Sequence, residues 1–292
     1  MSEHTPQVSV IIVTHNSLPA LTDCLVALGV AVRKVSHEVI LVDNASVDGS
    51  VDEAARLFPQ ATVLKNEENC GFARACNRGA EAAGGEFILF LNPDLVIDPE
   101  AMGVLVAEAR SRPEAGLISG RLRHADGSFQ PTCRRFPTIG NMIFARGSAV
   151  SCLLRRGGSG DARYTLPDYR ETTEVPAVAA TMVLVRRELF ARVGGFDDRY
   201  FMYMEDTDLS LRLEQLGRVN LFVPGAGGVH HWGRGSRAGR LTRLRRHHMS
   251  IWKYFLKHFP NGFSVILLPL LLTVNFLVLM ILPRRPPEVG RP

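Results

Sequence analysis

Between Gln215 and Pro287 there is no aspartate or glutamate at all, although the whole chain of 292 residues carries 29 acids. The same stretch holds 11 Lys and Arg, whereas residues 1–214 carry 22 against 28 acids. An acidic front and a purely basic back predict two different environments. Cysteine is scarce. The five residues (Cys24, Cys70, Cys76, Cys133 and Cys152) are odd in number and scattered, with no zinc or disulfide spacing. They read as reduced thiols of a cytosolic compartment. No charged, apolar, small-residue leader precedes the first strand-like run, so no cleaved signal peptide is expected. Three motifs are missing: a Gly-x-Gly-x-x-Gly fingerprint, a Walker A loop and a Gly-x-Ser-x-Gly elbow. Their absence argues against hydride transfer, ATPase chemistry and serine hydrolysis. With 46% hydrophobic and 22% charged residues, the chain can bury a large core and is not broadly disordered.

What is present alternates. Val8–Val13, Glu38–Val42, Ala61–Leu64 and Phe87–Leu91 are short apolar runs. Helical stretches are expected over Leu18–Leu28, from Ser50, over Phe72–Ala83 and after Asp98-Pro99. This alternation predicts an α/β fold: a Rossmann-like, mostly parallel central sheet with helices on both faces. A strand over Val178–Val185, helices over Arg187–Val193 and Glu205–Leu216, and a strand over Val219–Val223 follow. Residues 120–175 read as a long irregular loop rich in Arg and Gly.

The chain ends on a different note. Phe263–Leu282 is a run of 20 residues without charge. As a helix it would be about 30 Å long, the thickness of bilayer hydrocarbon. Pro269 and Asn275 leave a kinked or re-entrant form open. Arg240, Arg243, Arg245, Arg246, Lys253 and Lys257 precede it, interleaved with Trp252, Tyr254 and Phe255. That flank places the preceding domain on the cytoplasmic side, with the basic residues on anionic lipid and not on nucleic acid. The expected division is a domain over 1–240, with halves of about 1–120 and 120–240, and a basic amphipathic segment with a membrane anchor (263–282) over 241–292.

In open parallel sheets, ligands bind beyond the carboxyl ends of the strands. His15-Asn16, Asp43-Asn44 and Asn92-Pro93-Asp94 all fall there. Each alone is ordinary turn chemistry. Asp94, held after an apolar strand by a rigid Pro, suits a hard cation that also bridges substrate phosphates. Glu205-Asp206 opens a helix, where acids complement the macrodipole. Capping does not require the aromatic approach Tyr200–Met204, and a carboxylate beside such a wall can serve as a general base. His230-His231-Trp232-Gly233-Arg234-Gly235 combines imidazoles for a metal with glycines and an arginine for phosphate.

Taken in order, VSVIIVTHN (8–16), LVDNASVDGS (41–50), NCGFARACNRG (69–79), FLNPDLVI (90–97), GGFDDRYFMYMEDTDLSLRL (194–213) and HHWGRGS (230–236) resemble family 2 glycosyltransferases. The likeness is to their rhamnosyltransferase-like branch and covers roughly residues 7–258. The resemblance implies a GT-A fold and an inverting single displacement. It also implies a nucleoside-diphosphate sugar donor (dTDP- or UDP-linked) and Mg²⁺ or Mn²⁺. By the same likeness Thr14, Asn16, Asp43, Asn44, Asn69, Gly71, Arg74, Asn77, Asn92 and Arg234 line the donor site, with Asp43 on the base or ribose. Asp94 corresponds to the last acid of the metal motif, with His230 as second ligand and His231 as the fallback. Asp206, paired with Glu205, is the catalytic base. Asn92 stands where the metal motif usually has its first acid, which leaves one carboxylate for the cation. With the anchor, a lipid-linked or polysaccharide acceptor at the inner membrane is expected. Two rivals remain: a sugar nucleotidyltransferase, which needs a glycine absent from THNSLPA, and a non-catalytic glycan-binding scaffold, which needs neither base nor metal.

Overall fold

A computed structural model describes residues 5–138, 165–231, 233 and 238–281. Alternation along its central strands explains its layers. In β1 (Val8–Thr14), Val8, Val10 and Ile12 point into one apolar cluster and Ile11 into another. The same division holds for β2 (His37–Asp43), β4 (Phe87–Leu91) and β11 (Met182–Arg186). Strands apolar on both faces must be covered on both faces. Helices α1 (Ala20–Ala31) and α4 (Ala101–Ser111) cover one side through Leu21, Leu25, Leu28, Met102 and Leu105. Helices α3 (Phe72–Glu81), α5 (Arg187–Arg192) and α6 (Glu205–Gln215) cover the other through Ala73, Cys76, Phe190, Leu209 and Leu213. Helix α2 (Ser50–Leu57) packs beside α1.

Among the described residues the main sheet has ten strands. They include β3 (Thr62–Lys65), β5 (Leu95–Ile97), β6 (Ala115–Arg123), β7 (Phe129–Gln130), β9 (Thr173–Val175) and β12 (Val219–His230). The order is β3-β2-β1-β4-β11-β6-β12-β5, with β7 on β6 and β9 on β12. It is parallel from β3 to β4, and mixed beyond, because β11 runs antiparallel to both β4 and β6.

Several boundaries differ from expectation. The run Val178–Val185 is two strands: β10 (Ala177–Val178) pairs with β8 (Cys133–Arg134), and only β11 joins the main sheet. The intervening backbone bonds sideways: Ala179 N–H donates to Thr132 O at 2.8 Å, and Thr181 O accepts from Asn92 N–H at 2.9 Å. Part of the expected loop 120–175 is sheet, because β6 runs on to Arg123 and β7, β8 and β9 follow. Residues 139–164 of it lie outside the described residues. The helix expected after Asp98-Pro99 starts later, at Ala101.

The C-terminal part is a helical hairpin. Helix α7 (Arg240–His258) is followed by a π-helical turn, Phe263–Leu267, and α8 (Leu268–Ile281). The hairpin is fixed to α6 through the fully buried Asp208, which accepts from Arg212 Nε at 2.8 Å, Lys257 Nζ at 2.6 Å and His258 Nε2 at 2.7 Å. Burial alone would raise this carboxyl; His258, Arg212 and Lys257 outweigh it and hold it below the usual carboxylate range. Asp208→Ala leaves those cations facing each other across a buried gap. It should cost about 3–5 kcal/mol, read as a lower urea midpoint, with faster amide exchange in α7 than in β1. An unchanged midpoint would mean that the hairpin is not held through this carboxylate.

Candidate active site

The carboxyl ends of β1, β2 and β4 meet at one rim, with Thr14 in register with Asp43. The loops that leave the rim are pinned by short polar bonds. Ser46 N–H donates to the Asp43 carboxylate at 3.1 Å. Asn16 Oδ1 accepts from Val47 N–H at 2.8 Å, and His15 Nδ1 lies 2.6 Å from Asn44 O. Asn44 donates to Gly71 O at 3.2 Å and accepts from Asn66 at 2.6 Å. Asn69 Oδ1 accepts from Gly71 N–H at 3.1 Å. Gly71 has φ +90°, and a methyl there would overlap the Phe201 carbonyl. The β2 rim is thereby locked to the segment leading into α6, where Phe72 N–H also donates to Phe201 O at 2.7 Å.

Backbone strain collects at the same place. Among the described residues, the non-glycine residues with positive φ are Asn16, Ala45, Tyr203 and Met204. Two follow β1 and β2, and two immediately precede Glu205. Such conformations cost of order 1–3 kcal/mol each and gather where geometry serves function. Two buried polar atoms without a hydrogen-bond partner among the described residues also belong here: Thr14 Oγ1 and Glu205 Oε2. Buried polar atoms without a partner are uncommon in folded chains.

The short β5 explains how the fourth strand's turn meets the last one. It runs antiparallel to the end of β12 with Leu95 opposite His230. Gly228 permits this approach, since a methyl there would sit 2.8 Å from Val96 O. Asp94 Oδ1 and His230 Nε2 are then 3.2 Å apart, both buried, and His230 Nδ1 lies 3.1 Å from Gln130 Oε1. If Nδ1 carries the proton for Gln130, Nε2 turns a lone pair toward a carboxylate. A cation or a shared proton satisfies both. One oxygen and one imidazole fit a hard divalent ion that takes its other ligands from a diphosphate and water. Among the described residues no group of three or more His, Cys, Asp or Glu surrounds a common point. His231 reaches Asp94 only by its backbone N–H, at 2.9 Å from Asp94 O, so the ring that meets Asp94 is that of His230. Cys24, nearby, is pushed up to about 12 by burial and by the charge of Asp94, and stays a neutral thiol.

The acids of α6 approach from the other helical layer. Asp206 Oδ2 accepts from Arg134 Nη2 at 2.6 Å and from Ala180 N–H at 3.3 Å, and Oδ1 accepts from Thr207 N–H at 2.7 Å. Ala180 adjoins Thr181, which bonds Asn92. The backbone that donates to Asp206 is thus continuous with the residue that bonds Asn92, two positions before Asp94. Burial pushes the Glu205 carboxyl up to about 8, and the neighbouring Asp206 charge adds to the shift.

Other expected donor-site residues lie differently. Asn77 uses both amide atoms on the backbone of Phe196, at 2.7 and 2.9 Å, and acts as a clamp between α3 and the turn before α6. Arg74 is exposed and 3.7 Å from Asp198. Arg234 lies outside the described residues. A cavity of about 800 Å³ runs behind α3, lined by Asn77, Arg187, Asp197 and Asp198 among others, but none of Asp43, Asp94 or Asp206 lines it. Gln130 and Arg134 were not anticipated from sequence. Both lie in the tract taken for a loop, with no motif to single them out.

A nucleotide-type parallel half-sheet with an Asp–His pair at its rim and a buried acidic helix start facing it is the build of a GT-A glycosyltransferase. Solved structures agree on the fold. The mannosyltransferase PcManGT of Pyrobaculum calidifontis, determined with GDP-Man and Mn²⁺, superposes with a TM-score of 0.59 at 18% identity, covering 94% of this chain and 74% of its own. Residues 1–349 of Staphylococcus aureus TarS give 0.55 at 16%, over 89% and 75%. Residues 9–194 match the glycosyl transferase family 2 profile, and the chain belongs to that family. It is 33% identical over 266 residues to the N-acetylglucosaminyl-diphospho-decaprenol L-rhamnosyltransferase of Mycobacterium tuberculosis, covering 85% of this chain and 83% of the relative. It is 30% identical over 176 residues to rhamnosyltransferase WbbL of Escherichia coli, covering 60% and 63%.

Glu205 gives the fold a pH signature. Its ordinary value is 4.5, so between there and about 8 the folded chain holds a proton that the unfolded chain has lost. Stability therefore falls as pH rises through this window. Urea midpoints should decline from pH 5 to pH 8, and Glu205→Gln should flatten that decline. A wild-type decline that survives in Glu205→Gln would assign it to another group.

Proposed function

We propose that the chain transfers a sugar, L-rhamnose by likeness to its relatives, from a dTDP- or UDP-linked donor to a hydroxyl of a lipid-linked glycan in cell-surface polysaccharide synthesis. What supports this reading is the buried Asp94–His230 pair, together with the Asp206 carboxylate that accepts from Ala180 N–H, one residue before the Thr181 carbonyl bonded by Asn92 N–H. Thr14, Asn16, Asp43, Asn44, Asn69, Gly71 and Asn92 shape the donor side.

Asp94 and His230 would hold Mg²⁺ or Mn²⁺, which would supply positive charge for a leaving diphosphate. Gln130 fixes the His230 ring. Asp206 accepts the proton of the acceptor hydroxyl as that oxygen attacks the anomeric carbon. The bond from this carbon to the diphosphate oxygen breaks, the nucleoside diphosphate departs, and the centre inverts. Arg134, on Asp206 Oδ2, balances the charge of the base and aims it. Glu205, protonated at neutral pH by its burial, adds no second charge beside it.

The helix over Phe263–Ile281 supports a membrane-bound acceptor: its mean hydropathy is 2.6 and only 17% of its most apolar window is buried. With the basic α7 it attaches the protein to the cytoplasmic face of the inner membrane.

Asp206→Asn should keep donor binding and lose about 10²–10⁴-fold in transfer, measured as nucleoside diphosphate release with a dTDP-sugar and acceptor glycan. Undiminished turnover removes Asp206 as the base. Asp94→Ala should weaken donor binding in calorimetry with Mn²⁺ but not without it. Equal losses in both titrations would take the cation away from Asp94.

A further inference from the structure

We infer that the C-terminal hairpin lies flat in one leaflet of an anionic bilayer, in contact with acidic headgroups, and that α8 does not cross to the other side. This rests on the membrane reading above and adds an orientation to it.

The two helices run antiparallel and touch along their whole length. Trp252 Nε1 donates to Ser264 O at 3.1 Å near the turn. Midway, Asn275 Nδ2 donates to His248 Nε2 at 2.7 Å, while His248 Nδ1 donates to Leu244 O at 2.8 Å. At the open end Arg240 Nη2 donates to Leu279 O at 2.8 Å. The covered stripe of α8 and its π-helical turn, Ser264, Leu268, Leu272, Asn275 and Leu279, follows helical spacing. Its opposite face, including Ile266, Leu270, Val274, Leu277 and Ile281, is apolar and exposed.

Helix α7 in turn is fixed to the catalytic body at several points. Ser250 donates to Met202 O at 2.9 Å, and Lys253 bonds Arg199 O. The Arg246 guanidinium lies 3.9 Å from the Phe201 ring centroid. Lys257 and His258 hold Asp208. If α8 crossed the bilayer with the hairpin intact, it would carry α7 alongside, with Arg240, Arg243, Arg245 and Arg246 at hydrocarbon depth and the catalytic body behind them. Arginine at the bilayer centre is costly, and four on one helix cannot all reach the interface. If α8 crossed alone, it would strip Leu268 from its cluster with Tyr200, Met204, Ile251, Tyr254 and Phe255. It would also leave the Asn275 amide in hydrocarbon without His248. Lying in the interface avoids both costs: the exposed face of α8 meets acyl chains, and the α7 cations meet headgroups. The exposed Arg243 and Arg245, in a stretch without acids from Gln215 to Pro287, select negative headgroups. The Tyr200–Met204 approach to Glu205 and Asp206 rests on this hairpin.

The test uses the full chain in a bacterial host, fused after Pro292 either to green fluorescent protein, which folds only inside, or to alkaline phosphatase, which is active only outside. The expected result is a membrane-bound, fluorescent first fusion and an inactive second. Membrane-bound protein with active phosphatase overturns the flat hairpin and leaves the membrane reading standing. Protein that stays in the soluble fraction overturns both. A second measurement floats purified protein on phosphatidylcholine vesicles with and without phosphatidylglycerol. Binding should be about tenfold weaker without the anionic lipid, and Leu270→Glu with Leu277→Glu should release it from either. Equal binding to the two vesicles overturns the headgroup assignment.

Discussion

Three carboxylates in one buried helical turn are the constraint around which the molecule is arranged. Glu205, Asp206 and Asp208 open α6 with almost no exposure. The helix N-terminus offsets part of one charge, not three. Each acid therefore has its own settlement. Asp206 draws Arg134 out of the second sheet, together with the backbone of Ala180 and Thr207. Asp208 draws Arg212 from its own helix and Lys257 and His258 from α7. Glu205 makes no ion pair among the described residues, and burial with the Asp206 charge pushes its carboxyl up to about 8 against the pull of Arg134. The arrangement works because the charges are separated by state as well as by direction. Ionising Glu205 would place a second bare charge next to Asp206 in a dry site.

These settlements make the turn a junction. Arg134 belongs to β8, so the Asp206 bond ties the small β8–β10 ribbon to α6. Arg212 also donates to the carbonyls of Val193 and Gly195 at 2.6 and 2.7 Å, closing the turn that Asn77 clamps from α3. The start of α6 is thus held from β8, from α7 and from the Val193–Gly195 turn. None of these bonds touches the Asp94–His230 pair, which depends instead on β5 and the irregular end of β12, where the register shifts between Val223 and Gly227.

How far this was readable in one dimension depends on the range of the interaction. β1, β2 and β4 are legible because strands buried on both faces are continuously apolar, and the polar residues just past them mark the rim. β5 is not, since three residues carry no period. The break at Ala179–Thr181 is hidden because its cause, bonds to Thr132, Asp206 and Asn92, lies 26 or more residues away along the chain. Asn77 looks like a donor-site residue within NCGFARACNRG, yet its amide belongs to Phe196, 119 positions on. His230 and His231 are equivalent as letters. The register opposite Leu95 separates them, sending one ring to Asp94 and leaving the other with only its backbone there.

The apolar C-terminal run shows the same limit more sharply. Its composition suits a spanning helix, with Pro269 and Asn275 as the exceptions within Phe263–Ile281. What decides is the neighbour. Asn275 is a flaw in a lone transmembrane helix but a satisfied donor once His248 stands opposite. Pro269 comes just after the π-helical turn Phe263–Leu267, where the Ser264 carbonyl accepts from Trp252 Nε1. Because α7 holds both α8 and Asp208, and Asp208 sits two residues from Asp206, the surface that would meet lipid and the carboxylate that would take the acceptor proton are parts of one rigid connection. Displacing the hairpin would therefore disturb the acid turn through Asp208 and the β2 rim through Phe201, which Arg246 covers and Phe72 N–H holds.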